Sequence, residues 1–470
     1  MAGDEGRPDY RVLSMRTIAL AALALVIVGV GVGTWLLFAF GNGTTESANQ
    51  LDAIKTAGTI VVGTGGAGAL WLAARRQRTS EIALRQKDID QDMANRAHSL
   101  QERVAAAAEA DALERRVTEL YTKAADQLGS DRAPVRLAGL YALERLANST
   151  PAQRQTIVDV LCAYLRMRPR ETDDLTQEQQ VRGAALTVLA THLRREGART
   201  FWADVDVDLS GAVLAKLDLT GCEVRNLDLS ESRVEGSAKF NGVLVTGVAQ
   251  FTAAEFAGHA AFERYRCVGR TNFAMTTFVD DVLFQDAEFG EEFRFSGATC
   301  RSLAAFEGAA FAGTARFGSA LFESDTRFRD VEFGSVVRFG GTEFGGSAMF
   351  ENVRFAGETR FDRASFRTLA EFTHCGFAAY VEFSEATFAG DTRFSHVEFA
   401  DSARFATTVF EGDAQFTDAR VRLDVPSSVV RAWPTISRAQ PGRFDLVPVQ
   451  EVTPGDEQWA RVAYRRHDPA

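Results

Sequence analysis

No proline interrupts the chain between Pro169 and Pro426, a gap longer than half of its 470 residues. Proline cannot donate to a β-ladder, so its absence suits long, unbroken backbone pairing in that region. Tyrosine and tryptophan are scarce, 7 and 5 against 35 phenylalanines, and most of the phenylalanines lie beyond residue 239. The five cysteines (Cys162, Cys222, Cys267, Cys300 and Cys375) show neither CxxC nor CxxH spacing. That argues against a zinc site or a disulfide framework and fits a reducing compartment. Positive charge is in deficit, with a net of −11, whereas general nucleic-acid binding needs a cationic surface. The six histidines are scattered without metal-ligand spacing, and no nucleophile elbow, P-loop or dinucleotide fingerprint occurs. No catalytic, cofactor or metal site is therefore expected, and the chain reads as a non-enzyme.

Two stretches lack charge altogether. Residues 17–40 (TIALAALALVIVGVGVGTWLLFAF) and 56–74 (TAGTIVVGTGGAGALWLAA) are each apolar enough on paper to cross a bilayer core of ~30 Å. Arg11 and Arg16 precede the first, and Arg75, Arg76 and Arg78 follow the second, while the short loop between holds only Lys55. The positive-inside rule then places both termini in the cytoplasm, with 1–16 as a tail and 41–55 as an outer loop. Gly29 and Gly33, with Gly63, Gly65, Gly66 and Gly68, offer small faces on which the two spans are expected to pack closely. The expectation is a two-span protein of the cytoplasmic membrane, in contact with the lipid bilayer.

A helical region follows. Residues 75–129 are rich in Ala, Glu, Arg, Gln and Leu, and Ser80 to Gln127 contains neither Gly nor Pro, which favours one long helix. Ile82, Ile89, Met93, Ala97, Leu100 and Val104 keep a helical apolar spacing, open to a homo-oligomeric coiled coil or to packing on neighbouring helices. Residues 130–200 predict a helical block: an amphipathic helix over 133–147, a second opened by Thr150-Pro151 and ending near Arg166, and a third over 176–195. Cys162 reads as a core thiol.

Beyond residue 200 the apolar residues keep a different beat. Leu209, Leu214, Leu219, Val224, Leu229 and Val234 are spaced by five; Phe306, Phe311, Phe317, Phe322, Phe328 and Phe333 alternate steps of five and six. Such steps scatter around a helix and break the two-residue period of a strand. A small or modest residue stands two positions before most of them, as Ala212, Ala309, Ala315, Thr326 and Val331 do. This small-x-large pattern, clearest in DLSGAVLAKLDLTGC, resembles the pentapeptide-repeat family. The resemblance implies a right-handed quadrilateral β-helix over 201–421, each five-residue unit forming one side of a square coil. The extra residue in alternate units predicts coils of about 22 residues widened at alternate corners, with phenylalanine filling the interior. Tyr265 with Cys267, and Phe293 with Cys300, read as exchanges of large and small slots that preserve volume. Asp330, as an outward residue, is expected to tolerate alanine. The segment after Val421, with Trp433-Pro434, is expected to cap the open end of the solenoid within 422–470, and the final RRHDPA reads as a disordered tail. Together with the LYTKAADQLGSDRAPVRLAGLYALERLA helical block, the chain resembles the membrane-anchored pentapeptide-repeat proteins of actinobacteria.

From Asp204 to Val421 there are 34 acidic against 20 basic residues, a net of −14. Some soluble members of the family mimic duplex DNA and bind type II topoisomerases, which stands as the alternative function. One series opposes the acidic background: Arg294, Arg316, Arg338 and Arg360 recur every 22 residues, each just before an inward phenylalanine. Stacked like charges are unfavourable unless anions intervene, so this ladder either pairs with nearby carboxylates or meets an acidic partner. The leading expectation is a non-enzymatic scaffold that binds an unidentified protein.

Overall fold

The computed structural model describes residues 14–40, 48–169, 174–195, 200–422, 442–448 and 459–466. The chain divides into two compact units, residues 1–116 and 117–470. The first contains α1 (Met15–Phe40) and most of α2 (Ala48–Leu128). The second contains the end of α2 and everything after it.

The first unit corrects an expectation. Among the described residues, no helix is long and apolar enough to cross a membrane. The two transmembrane helices, and the localisation built on them, are therefore not supported. Residues 56–74 are no separate span: their five glycines and three threonines dilute the apolar character, and the helix continues without a break into a long charged stretch. A Cβ added at Gly29, Gly63, Gly65, Gly66 or Gly68 would meet nothing within 4 Å, so these glycines do not mediate the expected close helix packing. Ile82, Ile89, Met93, Leu100 and Val104 of α2 are exposed. The expected terminal tail and loop fall largely on residues 1–13 and 41–47, outside the described residues.

The second unit starts with three packed helices, α3 (Ala133–Ser149), α4 (Arg154–Arg166) and α5 (Leu175–Leu193). A short 3-10 turn, Pro151–Gln153, leads into α4, and the Thr150 side chain does not cap it. Asp174 caps α5 instead, accepting from the Thr176 and Gln177 amides at 2.9 and 3.2 Å. Leu140, Leu143, Ile157, Leu161, Cys162, Leu189 and Leu193 form the core of this block. Within it lies an ion pair that is almost wholly buried, Arg136 Nη2 to Glu178 Oε2 at 2.9 Å, with the Tyr164 hydroxyl donating to Glu178 at 2.9 Å. Burial first, and Glu178 next, hold that hydroxyl protonated well above the ordinary tyrosine range.

The helical block closes the first edge of the solenoid. The Gln155 amide stands in for a missing strand: it donates to Asp206 O at 3.0 Å and accepts from Asp206 N at 2.8 Å. Trp202 is fully buried, stacked on His192 at 4.3 Å, and donates to Asn148 Oδ1 at 2.9 Å. One continuous core runs from these helices through the solenoid.

The solenoid has about ten coils, with four sheets as faces: three parallel sheets of ten strands, and a fourth of twelve in which the last two strands are antiparallel. This architecture is consistent with a pentapeptide-repeat fold. Register settles over the first coils, with partners 20 apart at Asp206↔Asn226, 21 apart at Leu217↔Ala238 and 22 apart from Leu227↔Ala249 onward. The uneven phenylalanine beat has its cause at the corners. Five-residue steps turn through a left-handed residue, such as Ser319 (φ 58) or Asp330 (φ 56). Six-residue steps turn without one and bring successive coils close: a Cβ at Gly346 would lie 2.3 Å from the Ser324 carbonyl carbon. The extra residue thus sits at alternate corners, as expected.

Inside, the phenylalanines stack along the axis and meet edge-to-face across it. Phe306, Phe328 and Phe350 stack at 4.7 and 4.8 Å, and Phe317 meets Phe328 at 5.7 Å and 88°. The expected volume exchange at Cys300 is visible in the rings. Phe295 moves into the space that Cys300 leaves in its column, lying parallel to Phe278 and Phe322 at 6.0 and 5.9 Å. Phe293 is buried beside it at 5.8 Å. Cys267 and Cys300 lie on different faces, and all five cysteines are free and buried.

Burial pushes the Cys162, Cys222 and Cys375 thiols up to about 12. An unfolded thiol ionises near its ordinary value while the folded one keeps its proton. The stability these thiols contribute is therefore intact below pH ~8.5 and lost as pH rises above it. None of the five should react with an aromatic disulfide reagent at pH 8 before unfolding, and the denaturant midpoint should fall between pH 8 and pH 10. Release of one equivalent from the native protein at pH 8 would contradict this assignment.

At the far end, Arg420–Arg422 pairs antiparallel with Trp459–Arg466, which pairs in turn with Gly442–Pro448. Arg465 and Arg466, expected in a disordered tail, are strand residues opposite Arg443 and Gly442. Trp433-Pro434 lies outside the described residues.

Candidate interaction surface

The residue just before each inward phenylalanine of the first face points outward, and parallel pairing stacks these residues coil upon coil. Arg294, Arg316, Arg338 and Arg360 are consecutive register partners, followed by Glu382 and Arg404. The four expected arginines therefore do form one column, with neighbours ~5 Å apart.

Carboxylates hold the two ends of this column. Glu292 Oε1 lies 3.0 Å from both Arg294 Nε and Arg316 Nε, and its Oε2 lies 3.3 Å from Arg270 Nε. Arg294 and Arg316 Nε are buried and not aligned for a hydrogen bond, so the attraction is of charge for charge. Burial alone would raise the Glu292 carboxyl, but Arg294, Arg316 and Arg270 outweigh it and hold it below the ordinary range. Arg360 pairs with Glu358 and lies 4.0 Å from Glu382. Arg338 sits between these clusters, exposed, and no carboxylate among the described residues comes within 4.0 Å of it. Of these four arginines, Arg338 is thus the rung without a carboxylate partner among the described residues.

A second set of columns is harder to see in the sequence. At the corner between the third and fourth faces, Asp330, Asn352, His374, His396 and Asp418 all have φ between 52 and 56. Two residues further on, Glu332, Arg354, Gly376, Glu398 and Arg420 form a parallel column. A groove of about 710 Å³ runs between the two. The histidines had looked scattered, but His374 and His396 are 22 residues apart, and their rings stack at 4.8 Å and 14°. Writing the sequence in rows of 22 would have revealed the pair. Among the described residues, no group of three or more His, Cys, Asp or Glu is placed to hold a metal ion.

Compared with known proteins, the chain matches no family model, no curated protein and no solved structure.

Proposed function

We propose that the chain is a non-enzymatic scaffold whose β-solenoid binds a protein partner, with the arginine column of the first face as the contact and an acidic segment as its counterpart. The observation that carries this reading is Arg338, exposed and unpaired between Arg316 and Arg360. Like charges stacked one coil apart repel, and carboxylates relieve that repulsion on either side of Arg338 but not at it. A partner carboxylate there adds a charge-assisted hydrogen bond and removes the repulsion.

A decaglutamate peptide serves as the probe. Binding by the full chain should weaken sharply between 0.05 and 0.5 M salt, because the screening length of exposed charge contacts shrinks from ~14 to ~4 Å over that range. Arg338→Glu should reduce affinity at least tenfold. The same change places an anion between Arg316 and Arg360, so the unfolding temperature should hold or rise. Binding that survives both Arg338→Glu and 0.5 M salt would remove this column from consideration as the contact.

A further inference from the structure

The groove at the corner between the third and fourth faces carries a separate inference, independent of the arginine column. Along its second column, opposite charges pair between coils. Arg354 Nη1 lies 3.6 Å from Glu332, and Arg420 pairs with Glu398. Gly376 interrupts this pairing, and a Cβ added there would meet nothing within 4 Å. The groove is therefore open over Gly376, two coil steps from Arg354 to Glu398, and the stacked His374 and His396 rings form its other wall.

The charges around the two rings are unevenly matched. His396 Nδ1 lies 3.9 Å from Asp418, but Asp418 also lies 3.6 Å from Arg461 on the C-terminal strand. His374 stands between His396 and Asn352, and the Asn352 amide donates to Asp330 Oδ1 at 2.6 Å. One carboxylate thus serves both His396 and Arg461, and among the described residues none lies within 4.0 Å of His374. Counting every charged side chain that lines the groove, Asp330, Glu332, Glu398 and Asp418 face Arg354, Arg420 and Arg461. The lining carries one net negative charge with both imidazoles neutral and one net positive charge with both protonated. Imidazole is the ordinary side chain that changes charge between pH 5 and 8.

We propose that this groove is an acid-strengthened binding site for a phosphate-class oxyanion, held over Gly376 by the His374 and His396 imidazolium rings and the Arg354 guanidinium. Two stacked imidazoliums with one shared carboxylate lack a counter-ion, and the oxyanion supplies it. Protonated rings have no lone pair for a metal, but each donates a hydrogen bond. Donors converging from a ring wall and a guanidinium suit a group with three or more acceptor oxygens.

The test is calorimetric titration of the full chain with inorganic phosphate at pH 5.5 and pH 8.0. Affinity should be at least tenfold higher at pH 5.5. Phosphate itself carries less charge at the lower pH, which weakens its attraction to cations, and asparagine substitution of the two histidines shows whether the rise comes from the imidazoles. His374→Asn with His396→Asn should abolish the binding at pH 5.5; asparagine already occupies this left-handed column at Asn352 (φ 54). Gly376→Gln fills the groove where there is free space, and should reduce affinity at least tenfold without lowering the unfolding midpoint. O-phosphoserine provides a second arm: tighter binding than inorganic phosphate supports the site with a phosphorylated chain as source, and equal or weaker binding supports it with free phosphate as source. No binding at pH 5.5, equal affinity at both pH values, or binding that survives the double asparagine variant would overturn the proposal.

Discussion

Phe328→Asp should destabilise the solenoid by about 5 kcal/mol or more, the largest effect expected of any single substitution in the coils. The ring is fully buried, stacked between Phe306 and Phe350 at 4.7 and 4.8 Å, and crossed edge-on by Phe317 and Phe339 at 5.7 Å. Removing a phenylalanine of this kind costs ~3–5 kcal/mol through lost burial and the cavity left behind. The carboxylate then lies among rings and small buried side chains with no charged partner, so it must be protonated or must open the coil to water. In a solenoid each coil is stabilised mainly by its neighbours, so the break should separate the coils before it from those after it. Limited proteolysis should show new cleavage near residue 328, and denaturant unfolding should lose its single transition. Glu323→Gln, at an exposed position just after the preceding strand, is the control and should stay within ~0.5 kcal/mol. Equal protease resistance of the two variants would refute the assignment of inward and outward faces.

The second large effect belongs to the helical block. Glu178→Leu removes the buried carboxylate that lies 2.9 Å from Arg136 Nη2 and takes away the acceptor of the Tyr164 hydroxyl. Breaking one side of a buried pair costs ~3–5 kcal/mol. Replacing the whole cluster, with Arg136→Met, Glu178→Leu and Tyr164→Phe together, removes the desolvation cost along with the attraction. The triple variant should be about neutral or more stable. Thermal unfolding of the full chain distinguishes these outcomes. A loss below about 1 kcal/mol for Glu178→Leu alone would mean that water reaches Arg136 in the folded state.

The coil was legible because its interior is written in one residue type at fixed spacing. Phenylalanine in the large slot and alanine, valine or threonine in the small slot leave few other ways to bury so regular a series. The corners were less legible, because a left-handed conformation can be held by many polar residues. Asp330 shows the consequence. Read as a tolerant outward residue, it has φ 56 and accepts from Asn352 at 2.6 Å, so alanine there loses a hydrogen bond and strains the turn. The arginine column followed from the same 22-residue spacing. Its pairing did not, because Glu292 reaches Arg316 from the preceding coil, 24 residues away in sequence. The second apolar run near the amino terminus misled for a different reason: residues 56–74 lack charge, but they lie inside a helix, Ala48–Leu128, that continues into a long charged stretch.

From Leu227 onward every coil has the same number of residues, and every column of the surface repeats in step with it. A duplication or loss of one such block leaves each ladder in register, each corner in its turn and each aromatic in its stack. Only the axial distance between the helical block and the C-terminal strands changes, by ~4.8 Å per block. The solenoid is in this sense a ruler with a fixed graduation, on which two surface features can be moved apart by whole divisions while each keeps its own geometry.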